Sequence, residues 1–544
     1  MASMKMSIFV FIIALSIGCA HKRYDREAQS VSGTMMLDQK IGQMLMVAVP
    51  GSGLNREADR ILRNYQPGGV ILFGYNLTSL QNSVRFINDM QKASLEYSGI
   101  PLFISIDQEG GRVVRFTSGV TQFPGAMAAG VSGDTGLAYQ WGRILGLQLR
   151  VIGVNMNLAP VLDVNNNPHN PVINTRSFGS DPRLVADMGA AYIRGLQESR
   201  CVAAGKHFPG HGDTDMDSHI TLPVIRYDMK RLGRVELVPF IEAVGAGVES
   251  IMTAHIAYPE ILGGNDPATV SGFFLTDVLR KEMRFRGLVV TDDMEMHAIS
   301  QRQDMGEAAV RSIMAGADII LISSYGGNIP VIFNAIKKAV GEKRIPTERI
   351  DEAVGRILEV KIRYGIMTIE KGMGRFTLTD KEKGILDGAE RVNEALSRKG
   401  ILGFGRQELI DPGDGAIRIF MTRNRILREE ISRNADAVII SGFGDLTRFA
   451  PAQGRNVILY LHLAQPDPGS LEKAVRYCAH NGIDVVLVSS GNPFPLTVSG
   501  LVRTGILSFS DTDESIRQLG RCLSGAFRPG RGGSLNLGTE KKGR

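Results

Sequence analysis

Residues Cys201–His219 read CVAAGKHFPGHGDTDMDSH. A short apolar run, Cys201–Ala204, breaks directly into a Gly/Pro-rich loop carrying Lys206, three histidines and the aspartates Asp213, Asp215 and Asp217. Apolar runs that end in polar residues recur through the first part of the chain. They are Leu45–Val49, Gly69–Phe73, Leu102–Ile106, Val154–Leu158, Val202–Ala204, Ser250–Ala254, Leu288–Val290 and Ile319–Ile322. Between them, Ser79–Glu96, Asp134–Val151, Pro182–Ser199, Lys230–Ala246 and Ser271–Arg284 carry apolar residues at helical spacing. Strand–helix alternation implies a parallel sheet with right-handed crossovers. Eight units in about 290 residues have the size of a (β/α)8 TIM-type barrel. The alternative is an open, doubly wound sheet. The polar positions favour the barrel: Asp107 follows the third run, Asn157 and Asp163 flank the end of the fourth, Lys206 and His207 follow the fifth, His255 the sixth and Asp292 the seventh. Barrels build their sites at these carboxyl ends.

At 544 residues the chain exceeds one ordinary core. The expected partition is a signal peptide over 1–19, a tether over 20–36, the catalytic barrel over 37–375, a helical linker over 376–399, a smaller αβα sandwich over 400–538 and a basic tail over 539–544. Helical pattern through Ile350–Tyr364 and Leu378–Ser397 forms the bridge. Strand-like Ile417–Met421, Ala437–Ser441, Val457–Leu461, Val485–Ser489 and Ile506–Phe509 make the sandwich. Gly530–Gly538 is Gly-rich but is no phosphate loop, since no helix follows it. Composition is globular, 43% apolar and 22% charged. The net charge of +6 is scattered, with no basic stripe interleaved with aromatics, which argues against nucleic acid as a partner.

Lys5 precedes an apolar run, Ile8–Ile17, too short to span a bilayer as a mature helix, so the start reads as an export signal. Leu15–Cys19 (LSIGC) resembles a bacterial lipobox, whose cysteine is diacylated, although Ser16 stands where leucine is usual. The expectation is an exported protein of the cell envelope, anchored to a membrane through Cys19 or periplasmic; the other reading is an ordinary cleaved signal. Cys201, Cys478 and Cys522 are expected to be unpaired or to form at most one bridge.

Three further constellations carry chemistry. In Leu288–Met296, LVVTDDMEM, a strand ends in Asp292-Asp293. Adjacent side chains alternate in direction there, so one carboxylate can face a site as a nucleophile while the other caps a helix or bonds backbone. In Ile104–Arg115, ISIDQEGGRVVR, a strand end is followed by Asp107, Glu109, two glycines suited to a tight turn or close approach, and two arginines. A carboxylate here can bond sugar hydroxyls, while Glu109 and one arginine are expected to form an internal ion pair. Asn174–Gly179, NTRSFG, offers Arg176 on a loop. The only tryptophan, Trp141, lies in a helical stretch and is expected in the core. In the histidine loop, Asp217-Ser218-His219 places a carboxylate two residues before an imidazole, a dyad in which the aspartate orients a general acid/base. His207, His211, Asp213 and His219 are also metal-ligand types, but the Gly/Pro spacing argues for a mobile flap, and no metal or cofactor is expected.

DQEGGRVVR, NTRSFG, KHFPGHGDTDMDSH and VVTDDMEM, in this order and at strand ends, resemble the β-N-acetylhexosaminidases of glycoside hydrolase family 3. The resemblance covers residues 37 to about 370, and the 400–538 segment is similar to the sandwich of two-domain members. The Asp217–His219 motif is specific to this branch; family 3 β-glucosidases resemble it only in the barrel and take a carboxylate acid/base from the second domain. The resemblance implies Asp292 as nucleophile and His219 as acid/base with Asp217 orienting it. It also implies Asp107, Arg176, Lys206 and His207 as binders of sugar hydroxyls, supported by Arg115. Thr291 departs from the serine of many relatives.

The implied reaction is retaining hydrolysis of terminal β-linked N-acetylglucosamine from peptidoglycan fragments or chitooligosaccharides. The resemblance suggests that some relatives also pass the sugar to phosphate. The alternatives are a β-glucosidase or β-xylosidase of the same family, a metal hydrolase, and an envelope sugar-binding lipoprotein without turnover.

Overall fold

The computed structural model describes residues 24–218, 220–300, 304–368, 377–404, 417–434, 437–441, 457–463, 475–481, 483–490, 504–524 and 526–531. The eight apolar runs are strands β1 (Leu45–Ala48), β2 (Gly69–Leu72), β3 (Phe103–Ile106), β4 (Met156–Asn157), β5 (Val202–Phe208), β6 (Ser250–Thr253), β7 (Leu288–Val290) and β8 (Ile320–Ile322). They pair in parallel in the order β7-β6-β5-β4-β3-β2-β1-β8. A parallel bridge between Val290 and Ile319 joins the two ends of that order, so the sheet closes. Every residue of β1, β2 and β3 is buried, as expected of strands with packed side chains inside and helices outside. The open sheet is thereby excluded.

The helices start and stop where their caps dictate. Ser79, Asp134 and Asp181 each accept an N–H of the first turn in the helices Leu80–Ser98, Thr135–Ile152 and Pro182–Glu198. Gly99 and Gly153 close the first two in the left-handed conformation. The single helix expected over Lys230–Ala246 is two, Met229–Arg234 and Val238–Gly245, because Pro239 starts a new helix rather than continuing one. Trp141 is in the core, against Phe123, Phe178 and Tyr192. Cys201, Cys478 and Cys522 are buried, and Cys201 and Cys478 are free thiols.

The second sheet has seven strands: β9 (Leu402–Phe404), β10 (Ile417–Met421), β11 (Val438–Ile440), β12 (Val457–Leu463), β13 (Asp484–Ser489), β14 (Gly505–Leu507) and β15 (Gly530–Arg531). Their order is β11-β10-β12-β13-β14-β9-β15, parallel except that β9 runs against β14. Strands β9 and β15 are not among the strand-like runs expected from the sequence. Met127 and Ala128 of the barrel pack with Leu402, Leu507 and Phe509 of this sheet, and Lys399 pairs with Asp134 at 2.8 Å. Among the described residues no helix is long and apolar enough to cross a membrane; Cys19 lies outside them.

Candidate active site

The barrel strands deliver a cluster of charge to one end. After β3, the side chain of Asn157 clamps the backbone of Gln108, its Oδ1 accepting the Gln108 N–H at 3.0 Å and its Nδ2 donating to the Gln108 carbonyl at 2.9 Å. Gln108 in turn accepts the N–H groups of Arg115 and Phe116. The segment is thus fixed with Asp107 and Glu109 both directed at Lys206 from β5, at 2.6 and 2.7 Å. Glu109 also receives Arg176 in a bidentate pair, both contacts 2.8 Å. The expected internal ion pair of Glu109 therefore exists, with an arginine from the NTRSFG loop instead of its own segment. Gly110 and Gly111 both have positive φ, and a Cβ on either would stand 2.7 Å from Pro124 O or Gly125 Cα. Turn geometry and close approach both require glycine there.

Burial disfavours these charges, but the pairing outweighs it. Arg176 and Lys206 hold the Glu109 carboxyl well below its usual range, and Asp107 and Glu109 hold the Lys206 ammonium above its own. Arg115 stands 4.0 Å from Asp107, an outer support.

Asp163, after β4, is fully buried and organises the histidine loop. Its Oδ1 accepts the backbone N–H of His207 at 3.1 Å and of His211 at 2.7 Å. Its Oδ2 lies 2.7 Å from His207 Nδ1. A carboxylate against Nδ1 makes that nitrogen the donor and leaves Nε2 to meet a ligand. His211 has both ring nitrogens engaged, Nδ1 with Thr214 and Nε2 with Ser218, each at 2.9 Å. Burial, helped by the neighbouring His207, pushes its pKa down to about 4, so it is neutral near pH 7. Asp213 accepts from Tyr227 at 2.6 Å. Three of the residues read as metal ligands, His207, His211 and Asp213, are thus engaged in holding the loop, and among the described residues no group of three or more His, Cys, Asp or Glu could hold a metal ion. Asp217 is half-buried, and its carbonyl accepts the N–H groups of Ile220 and Thr221, closing a tight turn. His219 lies outside the described residues.

After β7 the two aspartates take different partners, although both line the cavity. Asp293 bonds to Ser323 and accepts the Glu295 N–H at 3.2 Å. Burial raises its pKa to about 6, against the Ser323 hydrogen bond. The Asp292 carboxylate accepts the Asp293 N–H at 2.8 Å. Burial works against its charge, but His207, His255, that N–H and Lys206 hold its pKa below the usual value. It is therefore a carboxylate near pH 7.

These groups meet in one cavity of about 440 Å³, lined by Asp107, Arg115, Arg176, Lys206, His207, Asp217 and Asp292. Glu109, His211, Ser218 and Asp293 line it as well. The sequence reading did not single out Asp163 or Ser218 as site residues. Asp163 carried a signal, a carboxylate just past a strand end, but its target is a backbone brought near only by the closed barrel.

A closed parallel barrel with ionised carboxylates, an ammonium and an imidazole around a pocket at its carboxyl end has the layout of a barrel enzyme's active site. The family description "Glycosyl hydrolase family 3 N terminal domain" matches residues 36–360. The chain belongs to glycosyl hydrolase family 3. Beta-hexosaminidase A of Pseudoalteromonas piscicida is 34% identical over 330 residues, 56% of this chain and 55% of that protein, so the chain spans about half of that relative's length. Beta-hexosaminidase of Tolumonas auensis is 35% identical over 296 residues, 54% of this chain and 86% of that one. A solved family 3 beta-N-acetylglucosaminidase from Paenibacillus sp. str. FPU-7 superposes with a TM-score of 0.80 at 33% identity, covering 91% of this chain and 98% of that one. The likeness thus extends across both sheets.

Proposed function

We propose that the protein is a retaining β-N-acetylhexosaminidase that removes terminal β-linked N-acetylglucosamine. The observation that carries this reading is that ionised Asp292, from β7, and the Asp217–Ser218 turn, from the loop after β5, line the same cavity. Asp292 attacks the anomeric carbon as the glycosidic C–O bond breaks, giving a glycosyl-aspartyl ester. His219, oriented by Asp217, gives its proton to the departing oxygen. The neutral imidazole then takes a proton from water, whose oxygen attacks the anomeric carbon and releases Asp292. Asp107, Lys206, Arg176 and His207 hold the hydroxyls of the sugar, with Arg115 behind Asp107. A histidine base suits an anionic acceptor better than a carboxylate would, so phosphate can also be tried as acceptor. The names of the relatives support the acetamido sugar.

The substrate class is peptidoglycan fragments or chitooligosaccharides, and the site of action is the cell envelope, reached through the signal at residues 1–19 with Cys19 as lipid anchor. Incorporation of labelled palmitate that Cys19→Ser abolishes would support the anchor; equal labelling of both forms would remove it. For the activity, nitrophenol release from the aryl β-N-acetylglucosaminide is compared with release from the β-glucoside. Strong preference for the acetamido sugar is expected; preference for the glucoside would overturn the reading.

A further inference from the structure

Among the described residues only two exposed large hydrophobic side chains are aromatic, Tyr75 and Tyr325, at 49% and 43% exposure. They touch each other, their ring centroids 6.5 Å apart at 68°. Both stand two residues beyond a wall of the active-site cavity: Phe73 after β2 and Ser323 after β8 line it. Phe73 stacks on Tyr75 with centroids 5.8 Å apart and planes 11° from parallel. A continuous aromatic surface therefore leads from the cavity wall out to its rim.

Neither tyrosine sits on a loose loop. Tyr75 is in the turn Gly74–Asn76, which buried Asn76 pins by accepting the Phe73 N–H at 2.9 Å and donating to the carbonyl of Val49 at 3.0 Å. Tyr325 follows Ser323 and Ser324. Ser323 is bonded to Asp293, beside Asp292, and the Ser324 N–H donates to Glu295 at 2.6 Å. Holding two large apolar rings rigidly in water forgoes their burial, which folding alone gives no reason to do. Neither hydroxyl is hydrogen-bonded among the described residues.

We propose that Phe73, Tyr75 and Tyr325 form a platform for the leaving-group sugar of an oligosaccharide, resting on the hexosaminidase reading above. The cleaved sugar occupies the charged cavity beside Asp292, so the next pyranose of the chain must lie towards the rim. One face of a β-linked pyranose presents C–H bonds, whose positive edge suits the negative face of an aromatic ring. The two tyrosines, at 68° to each other, offer one ring to that face and the other to its edge. Their hydroxyls are at hand for the sugar's own.

The test is the double variant Tyr75→Ala/Tyr325→Ala on two substrates, chitotriose and N-acetylglucosaminyl fluoride. The fluoride has no leaving-group sugar. The ratio of kcat/KM for chitotriose to that for the fluoride should fall about tenfold. Tyr75→Phe/Tyr325→Phe, which keeps both ring faces, should retain most of the ratio. An unchanged ratio in the alanine variant overturns the platform, whatever the absolute rates, and so does a native protein that cleaves the fluoride but not chitotriose. Native protein that cleaves neither overturns the hexosaminidase reading itself, and the platform with it.

Discussion

At the amino-terminal floor of the barrel, Asp318 is fully buried between Arg280, Arg349 and Arg356, with Arg349 at 2.8 Å and Arg356 at 2.9 Å. At the mouth, Asp107 and Glu109 share Lys206, and Glu109 takes Arg176 as well. Both clusters desolvate charge, and Glu109 at the mouth and Asp318 at the floor both stay ionised. The floor places three guanidiniums around one carboxylate, with no side left for a ligand. The mouth surrounds a cavity and adds Asp292, a carboxylate kept ionised by neighbouring charge and a backbone N–H without a guanidinium of its own. Buried charge alone therefore does not mark a site. A carboxylate that stays ionised while facing open volume does.

The largest effect expected from that contrast is at Asp292. Asp292→Asn keeps the shape and removes the proposed nucleophile, so kcat/KM should fall by at least about 10⁴-fold while the melting temperature stays near that of the native protein. A variant that unfolds early but retains activity per folded molecule would place Asp292 with Asp318 as a structural carboxylate. His219→Ala comes next, with a loss of about 10²–10⁴-fold. In the glycosylation step the loss should shrink for substrates with very good leaving groups, which need no proton. A loss independent of leaving group in that step would remove the acid role.

The barrel was legible because its signal repeats. Each of eight runs carries the same alternation, and six strand pairs preserve it at full register, so a misread boundary such as Lys230–Ala246 leaves the topology intact. Asp107 and Asp292 were legible for the same reason, each standing just after a strand; Lys206 was read as following the fifth run, but β5 continues through it to Phe208. Asp163 and His211 were not legible as loop fasteners, because apart from the His207 ring on Asp163 their partners are backbone groups and hydroxyls that carry no mark in sequence. The floor cluster was equally silent. Arg349 and Arg356 lie on the helix Thr347–Arg363, where arginines spaced along one face read as solvated charge until Asp318 is seen beneath them. Strand β9, between β14 and β15, and the edge strand β15 were missed; each is specified by the neighbours it pairs with.

Removing the floor carboxylate sharpens the comparison from the other side. Asp318→Ala leaves three arginines facing one another and should destabilise by about 3–5 kcal/mol. Chemical denaturation measures this directly. The kcat/KM of the folded fraction should stay near native, since Asp318 lies at the opposite end of the barrel from Asp292. A loss of activity without a loss of stability would mean the two ends are coupled.

Glu249 makes the subtlest test, because it is a floor carboxylate with weaker compensation. It precedes β6, receives Arg363 at 2.6 Å and has Glu359 and Tyr364 nearby. Burial is the main influence; it raises the pKa from 4.5 to about 7, with Arg363 opposing and Glu359 adding to the rise. In the unfolded chain the group ionises first, so between pH 4.5 and about 7 the native state holds the extra proton. Its contribution to stability is present below pH 4.5 and is lost as pH rises through about 7. Glu249→Gln cannot ionise. The melting temperature of the variant relative to native should therefore climb by a few degrees across that window and level off above it. Thermal melts at either end of the window measure this. A flat difference would mean that Arg363 alone keeps Glu249 charged, as Arg176 and Lys206 together keep Glu109 charged at the mouth. The two carboxylates would then differ in what they face and not in how they are held.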